Sequence, residues 1–304
     1  MENQSKKPIR IGFPEQQEKF IKRHPEFVPW FYENQEFITQ CFNDAEVIGN
    51  ARSPLNSPGD PLYGTPPSPN LADIAVFYLI RGACEDFVEL FLLAANGKSS
   101  GATKLLRTLY EKVVHAAYLS QHPSQTVEYF EDEHIKRWKL WRELADSFPS
   151  VRVEFEQQHK DFVVEIERDY NNAKIKRKDS ICSKCHQPKT QEAWTLATLP
   201  TMAKKAGRDL DKLIFSCYLL PTFHIHATSY SIGQHIKETD AGDLVYVPTS
   251  ESGADNALYN GYFLVLRALN VLNAHFQLSR DSVLEEKTKE FWKIHAIENS
   301  ESKS

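Results

Sequence analysis

Glycine is scarce in this chain, at 12 of 304 residues, and no stretch alternates apolar and polar residues in a way that would support a sheet. Helix formers dominate. No apolar run reaches the ~18 residues that a membrane span needs; the longest apolar stretch, Leu71–Ala95, is interrupted by Asp73, Arg81, Glu85, Asp86 and Glu89. The first residues, MENQSKKPIRIGFPEQQEK, lack the apolar core of a secretion signal. A cytosolic protein without a membrane partner is expected. The formal net charge of −5 gives no global pull toward nucleic acid or acidic lipid. Five cysteines, an odd number without a secretion signal, favour free thiols or a metal site over disulfides. Internal repeats, a Gly-rich phosphate cradle, a Walker motif and a local Ser-His-Asp signature are all missing.

What is present is helical periodicity. Its centre is Ser99–Ser120, SSGATKLLRTLYEKVVHAAYLS. Leu105, Leu106, Leu109, Val113, Val114, Ala116 and Ala117 cover about half of its wheel, too wide an apolar arc for a surface helix. Pro14–His24, Pro29–Ile48, Leu71–Asn96, Pro123–Phe148, Val151 to about Arg177, Gln191–Ala206, Asp209 to about Ile236, Ala254–Leu278 and Asp281–Ile297 read as further helices. Leu71–Asn96 and the central helix form an antiparallel hairpin across Gly97–Lys98. Leu244–Val247 reads as a short extended piece. Residues 50–70 hold six prolines, which exclude helix. The expected fold is all-α: a single bundle-like domain of about eight or nine helices with an N-terminal helical extension. In chain order this gives an extension over 1–49, a proline-rich linker or loop over 50–70, a helical core over 71–297 with a basic loop at 174–189, and a solvated tail over 298–304.

Three places could carry chemistry. On the central helix, Arg107, Glu111 and His115 are four apart and share a face, with Tyr118 on the same border of the apolar arc. A planar cation, a carboxylate and a phenol there need partners, because unpaired burial is costly. The second place is DLDKLIFSCYLLPTFHIHATSYSIGQHI, where Tyr218, Thr222, His226 and Tyr230 recur at four-residue spacing. They form one polar stripe if the helix continues through Pro221, which must kink or end it. His224, two residues before His226, points to the opposite side, so the two make a poor helical metal pair. The plainer reading of both places is structural: an intrahelical Arg–Glu pair and a core histidine satisfied by neighbours.

The third place is Cys182-Ser-Lys-Cys185-His186, half of a zinc site, with His186 as a third ligand only if the backbone bends round and no local fourth. Two free thiols in a loop are the alternative. A c-type haem attachment would need export, and a thioredoxin-like motif would need a βαβ setting. The same loop carries Lys174, Lys176, Arg177, Lys178, Lys184 and Lys189 against Asp179. Such a stretch can contact the phosphates of a nucleic acid or nucleotide, or be a solvated charge run.

The segments ATKLLRTLYEKVVHAAYL and CYLLPTFHIHATSYS, about a hundred residues apart, resemble the domain of unknown function 5677 family. Its members carry an Arg-x-x-x-Glu helix ending in Tyr-Leu, then a later helix with a tyrosine and a small hydroxyl residue shortly before a histidine. Those positions are Arg107, Glu111, Tyr118–Leu119, Tyr218, Thr222 and His226, with Thr222 standing where a serine is expected. The resemblance covers roughly Leu71 to Leu278, implies that Arg107, Glu111 and His226 meet in space, and brings no reaction with it. The chain is also similar, at fold level, to HEPN helical domains, many of which cleave RNA. Their signature spaces Arg and His by four to six residues, whereas Arg107–His115 and Arg267–His275 are each separated by seven.

Two function classes stay open. In one, Arg107 binds an anion or phosphate, Glu111 orients it or acts as a base, and His226 is the general acid or base, on a nucleic-acid or nucleotide substrate in a stress or defence setting. In the other, the chain is a non-catalytic interaction or structural protein whose Arg/Glu/His cluster is a buried polar network. A homo-oligomer is compatible with both.

Overall fold

The computed structural model describes residues 13–52, 70–176, 179–181, 188–190, 194–195, 197–225, 232–233, 236–240, 242–246 and 251–301. The described chain is all-α, as its periodicity predicts. It gathers into two compact units: residues 1–121 with 202–304, and residues 122–201.

The first unit is built on three long helices, α4 (Leu71–Ala95), α5 (Ser99–Gln121) and a later helix over Glu251–Phe276. Asn70 caps α4 by accepting from the Ala72 and Asp73 amides. The α4–α5 hairpin turns at Gly97, φ +69°, where the Lys98 amide reaches back to the Leu93 carbonyl and the Gly97 amide to Ala94. This six-residue closure satisfies the last carbonyls of α4 and needs a residue without Cβ. Both helices are apolar on most sides because neighbours cover them: Leu90, Leu109, Val113, Leu258 and Leu264 are fully buried.

Three N-terminal helices belong to this unit: α1 (Pro14–Arg23), α2 (Phe27–Glu33) and α3 (Gln35–Arg52). Phe20 meets Phe91 edge-on at 5.6 Å, Phe31 stacks on Phe91 at 4.6 Å, and Phe27 meets Tyr262 at 5.5 Å. The helix expected over Pro29–Ile48 is two helices. The break falls at buried Asn34, whose side-chain amide shares the Trp30 carbonyl, at 2.6 Å, with its own backbone amide, at 3.2 Å.

The second unit packs α6 (Thr126–Ser147), α7 (Pro149–Gln158) and α8 (Lys160–Lys176) around Trp141, Ala145, Val163 and Ile166. The helix expected over Val151–Arg177 is divided at His159. Two short strands follow, β1 (Asp179–Ile181) and β2 (Pro188–Thr190), paired antiparallel with Ile181 opposite Pro188. No sheet was expected, because three-residue strands are too short to show alternation.

After α9 (Leu199–Ala206), Gly207, Arg208 and Asp209 all adopt positive φ, a sharp left-handed turn. The helix expected over Asp209–Ile236 is interrupted: a 3₁₀ turn at Leu210–Leu213, a π-helical turn at Phe215–Leu219, then α10 (Leu220–Ile225). The π turn lies immediately before Pro221, whose ring removes a backbone donor and crowds the preceding turn; the wider turn accommodates both effects. A second hairpin pairs β3 (Ile236–Glu238) with β4 (Leu244–Tyr246), the extended piece expected there. The chain ends with α11 (Glu251–Phe276) and α12 (Asp281–Glu301). Among the described residues no helix is long and apolar enough to cross a membrane.

Candidate functional site

Arg107 is the hub of a small polar cluster between α5 and the π turn with α10. Its Nε donates to Glu111 Oε1 at 2.7 Å, one turn further along α5. Its Nη1 donates to Thr222 Oγ1 at 3.2 Å, and its guanidinium lies 4.7 Å from the centre of the Tyr218 ring. Thr222 is itself fixed, donating its hydroxyl to the Tyr218 carbonyl at 2.6 Å. Tyr218 is set in turn against Tyr110, whose hydroxyl donates to the Leu210 carbonyl at 2.8 Å. Arg107 keeps 21% of its side-chain exposure and Glu111 34%, so the pair is half-buried at the border of the core. Among the described residues Nη2 has no partner. The guanidinium is thus fixed by a carboxylate, a hydroxyl and a ring, while three of its five N–H groups have no acceptor among the described residues.

The expected stripe is therefore met in its first half. Tyr218 and Thr222 converge on Arg107 and Glu111. His226 and Tyr230 lie outside the described residues, as do Cys182, Cys185 and His186. Tyr118 is buried and His115 half-buried on α5. His115 stands two turns, ~12 Å along the axis, from Arg107. Among the described residues no group of His, Cys, Asp or Glu could hold a metal ion. The thiol of buried Cys217, in the π turn, is pushed up to about 12 by burial, so it is no nucleophile at neutral pH.

The structure also shows groups that the sequence did not mark. The opposite face of α10 from Thr222 presents Leu220 and His224 to a cavity of about 360 Å³, walled by the first turns of α5 and α11. Sequence spacing marks His224 only as a poor helical metal partner of His226; that it faces a cavity follows from how α10 packs.

A spatial Ser–His–Asp set is present too, although no local signature announces it. His275 Nε2 lies 2.8 Å from Asp73 Oδ1, and Nδ1 lies 3.1 Å from Ser120 Oγ. Burial holds His275 below its ordinary value despite the carboxylate. Its surroundings oppose nucleophilic chemistry. Ser120 sits in the last turn of α5, where backbone carbonyls point outward and would repel a developing oxyanion. Arg52, on Asp73 and on the His275 carbonyl, completes a tie between the ends of α3, α4, α5 and α11.

The third set is more deeply buried. His24, 3% exposed, has Asp255 Oδ1 at 2.9 Å from Nε2 and Glu298 Oε2 at 2.9 Å from Nδ1. Glu298 also accepts from the Tyr259 hydroxyl and from the Glu26 and Phe27 amides at the start of α2. Burial disfavours the imidazolium, but the hydrogen bonds and charges of Asp255 and Glu298 outweigh it and hold His24 above its ordinary value. These partners are fully engaged with one another, as in a structural ion network.

Residues 73–243 match the model of a family of unknown function, DUF5677, which is more than half of the chain. The matched region contains Arg107, Glu111, Tyr218, Thr222 and His226, the residues on which the resemblance rested. It ends before α11. No curated protein and no solved structure matches the chain.

Proposed function

The chain belongs to the DUF5677 family of unknown function, and from that membership, which carries no activity, we propose that the protein binds a phosphate-bearing ligand, a nucleotide or nucleic acid, at Arg107. The observation that carries this reading is the posture of Arg107. A guanidinium held on three sides, with Nη2 unpartnered among the described residues, is pre-organised to receive an anion and loses little side-chain entropy on doing so. Glu111 lowers the local charge but fixes the orientation. In this reading His226, four residues beyond Thr222, is the general acid or base if the bound ligand is also a substrate.

The second reading is a structural clamp, favoured by one observation: all three partners of Arg107 come from α5 and the π turn with α10, so the cluster also joins those elements. Titration with inorganic phosphate, mononucleotides and short RNA or DNA, beside Arg107→Met, separates the two. Binding that Arg107→Met removes, at an unchanged melting temperature, supports the ligand site. No binding, with a lowered melting temperature in Arg107→Met, leaves the clamp. Incubation of the same ligands with wild type and His226→Ala tests turnover.

A further inference from the structure

We propose that the left-handed turn after α9 carries a second anion site, for the phosphate group of a monoester or of inorganic phosphate, formed by Arg208 and Arg267. The inference goes beyond the reading of Arg107 and does not depend on it.

Gly207, Arg208 and Asp209 take φ of +68°, +58° and +61° in succession. A residue with a side chain is disfavoured there, because its Cβ crowds the following carbonyl. The helix α5 holds this turn at both ends: Gln121 Nε2 donates to the Ala206 carbonyl at 2.9 Å, and the Tyr110 hydroxyl donates to the Leu210 carbonyl at 2.8 Å. The backbone that presents Arg208 and Asp209 is therefore tied in place before any ligand arrives.

Arg267 reaches the turn from α11. Its Nη2 donates to Asp209 Oδ2 at 3.4 Å, and its guanidinium lies 4.5 Å from the centre of the Phe263 ring. Its Nε is buried and meets no acceptor among the described residues. Asp209 is shared, since Oδ1 also lies 2.8 Å from Lys212 Nζ. Arg208 has no hydrogen-bond acceptor among the described residues. Asp281 acts on it only at longer range, and the Asn273 amide already donates to that carboxylate at 2.9 Å. Partial desolvation and the charge of Arg267 press Arg208 below the usual arginine value, against the pull of Asp281. Desolvation likewise lowers Arg267, against the pull of Asp209. Two guanidiniums that repel one another thus depend on one carboxylate that a lysine also uses, and an anion would supply what they lack.

The shape of a guanidinium selects the ligand. It is a planar fork that meets oxygens in pairs. A phosphate monoester carries about −1.5 to −2 charge at pH 7 and three terminal oxygens, enough to face two forks at once. A carboxylate, with two oxygens and one charge, satisfies one fork. Exposed Lys204 and Lys205, in the last turn of α9, add positive potential along the approach.

Calorimetric titration of the full chain at low salt tests the proposal, with inorganic phosphate and AMP as the two sources of the group and acetate and adenosine as controls. It is run on the wild type and on Arg107→Met, so that a ligand held at Arg107 is not counted here. Saturable binding of phosphate or AMP should persist in Arg107→Met and weaken at least about tenfold when Arg208→Ala or Arg267→Met is added. Whichever of the two binds more tightly identifies the source. Melting temperatures verify the fold of each variant. Arg208 is exposed, so Arg208→Ala in the wild-type chain decides the case where Arg107→Met or Arg267→Met melts lower. The proposal is overturned if neither source binds at up to about 10 mM. It is equally overturned if acetate or adenosine binds as tightly, if binding disappears in folded Arg107→Met, or if Arg208→Ala leaves it unchanged.

Discussion

His24 shows how one residue can set a pH dependence. Its imidazolium is buried between Asp255 and Glu298 and held above its ordinary value, so its contribution to stability is fully present below about pH 6.5 and fades as pH rises through the folded-state value. Asp255 and Glu298 are held below their ordinary values: burial works against this, and His24 together with their other partners prevails. Their contribution is present above about pH 4.5 and is lost as pH falls through their folded-state values. The network is therefore strongest between those limits. His24→Ala leaves the buried Glu298 carboxylate without its cation, while Asp255 keeps Arg23 at 3.1 Å, and should cost ~3 kcal/mol near pH 5.5, the scale for breaking a buried pair. The difference from wild type should shrink steadily toward pH 9 in urea unfolding; a gap independent of pH would contradict a charged His24. Arg107 and Glu111 belong to a different regime. Their pair is half-exposed, so Glu111→Ala should cost only about 1 kcal/mol by the same measurement.

At the scale of elements, close helix packing explains where glycine is required. On α11, a Cβ at Gly261 would stand 3.1 Å from Leu90 and from Phe87, both buried in α4 and unable to yield. On α5, a Cβ at Gly101 would meet Leu93 at 3.1 Å, but Leu93 is only half-buried and can move. Gly261→Ala should therefore destabilise by ~1–3 kcal/mol through overpacking. Gly101→Ala should be neutral or stabilising, by up to about 1 kcal/mol of helix propensity. Equal melting temperatures for the two variants would refute the packing argument. The β1–β2 ladder brackets residues 182–187 between Ile181 and Pro188. A paired hairpin is a setting in which Cys182 and Cys185 can grip one ion, and we propose zinc there. Elemental analysis should find close to one zinc per chain, and Cys182→Ser should remove it. Metal-free wild type with an unaltered melting temperature would end that idea.

At the scale of the molecule, the proline-rich stretch is a boundary in sequence that the packing of unit 1 crosses. Phe20, Phe27 and Phe31 are buried against α4 and α11, and His24 is tied to α11 and α12. A protease site inserted near residue 60 should therefore yield two fragments that stay together. The nicked protein should elute at its intact size from a gel-filtration column and separate only in denaturant. Release of residues 71–304 as a folded fragment under native conditions would show that α1–α3 are dispensable.

Local periodicity alone was enough for the helical class, the α4–α5 hairpin and the Arg107–Glu111 pair, because each is a relation between residues a few positions apart on one rigid rod. The family resemblance added Tyr218 and Thr222 to that pair, and the structure brings them to Arg107. Other relations are settled only by the tertiary structure. His275 meets Asp73 across 202 positions, and His24 meets Glu298 across 274. No periodicity spans such separations; helix packing alone decides them. Local irregularities lie just as far beyond pattern reading: one expected helix divides at Asn34, and a π turn precedes Pro221, with one face of α10 toward Arg107 and the other toward the cavity. An apolar wheel says that a face is buried. Which side chains share that burial is decided when the helices pack, because contact energy depends on shape and register that the local sequence does not carry.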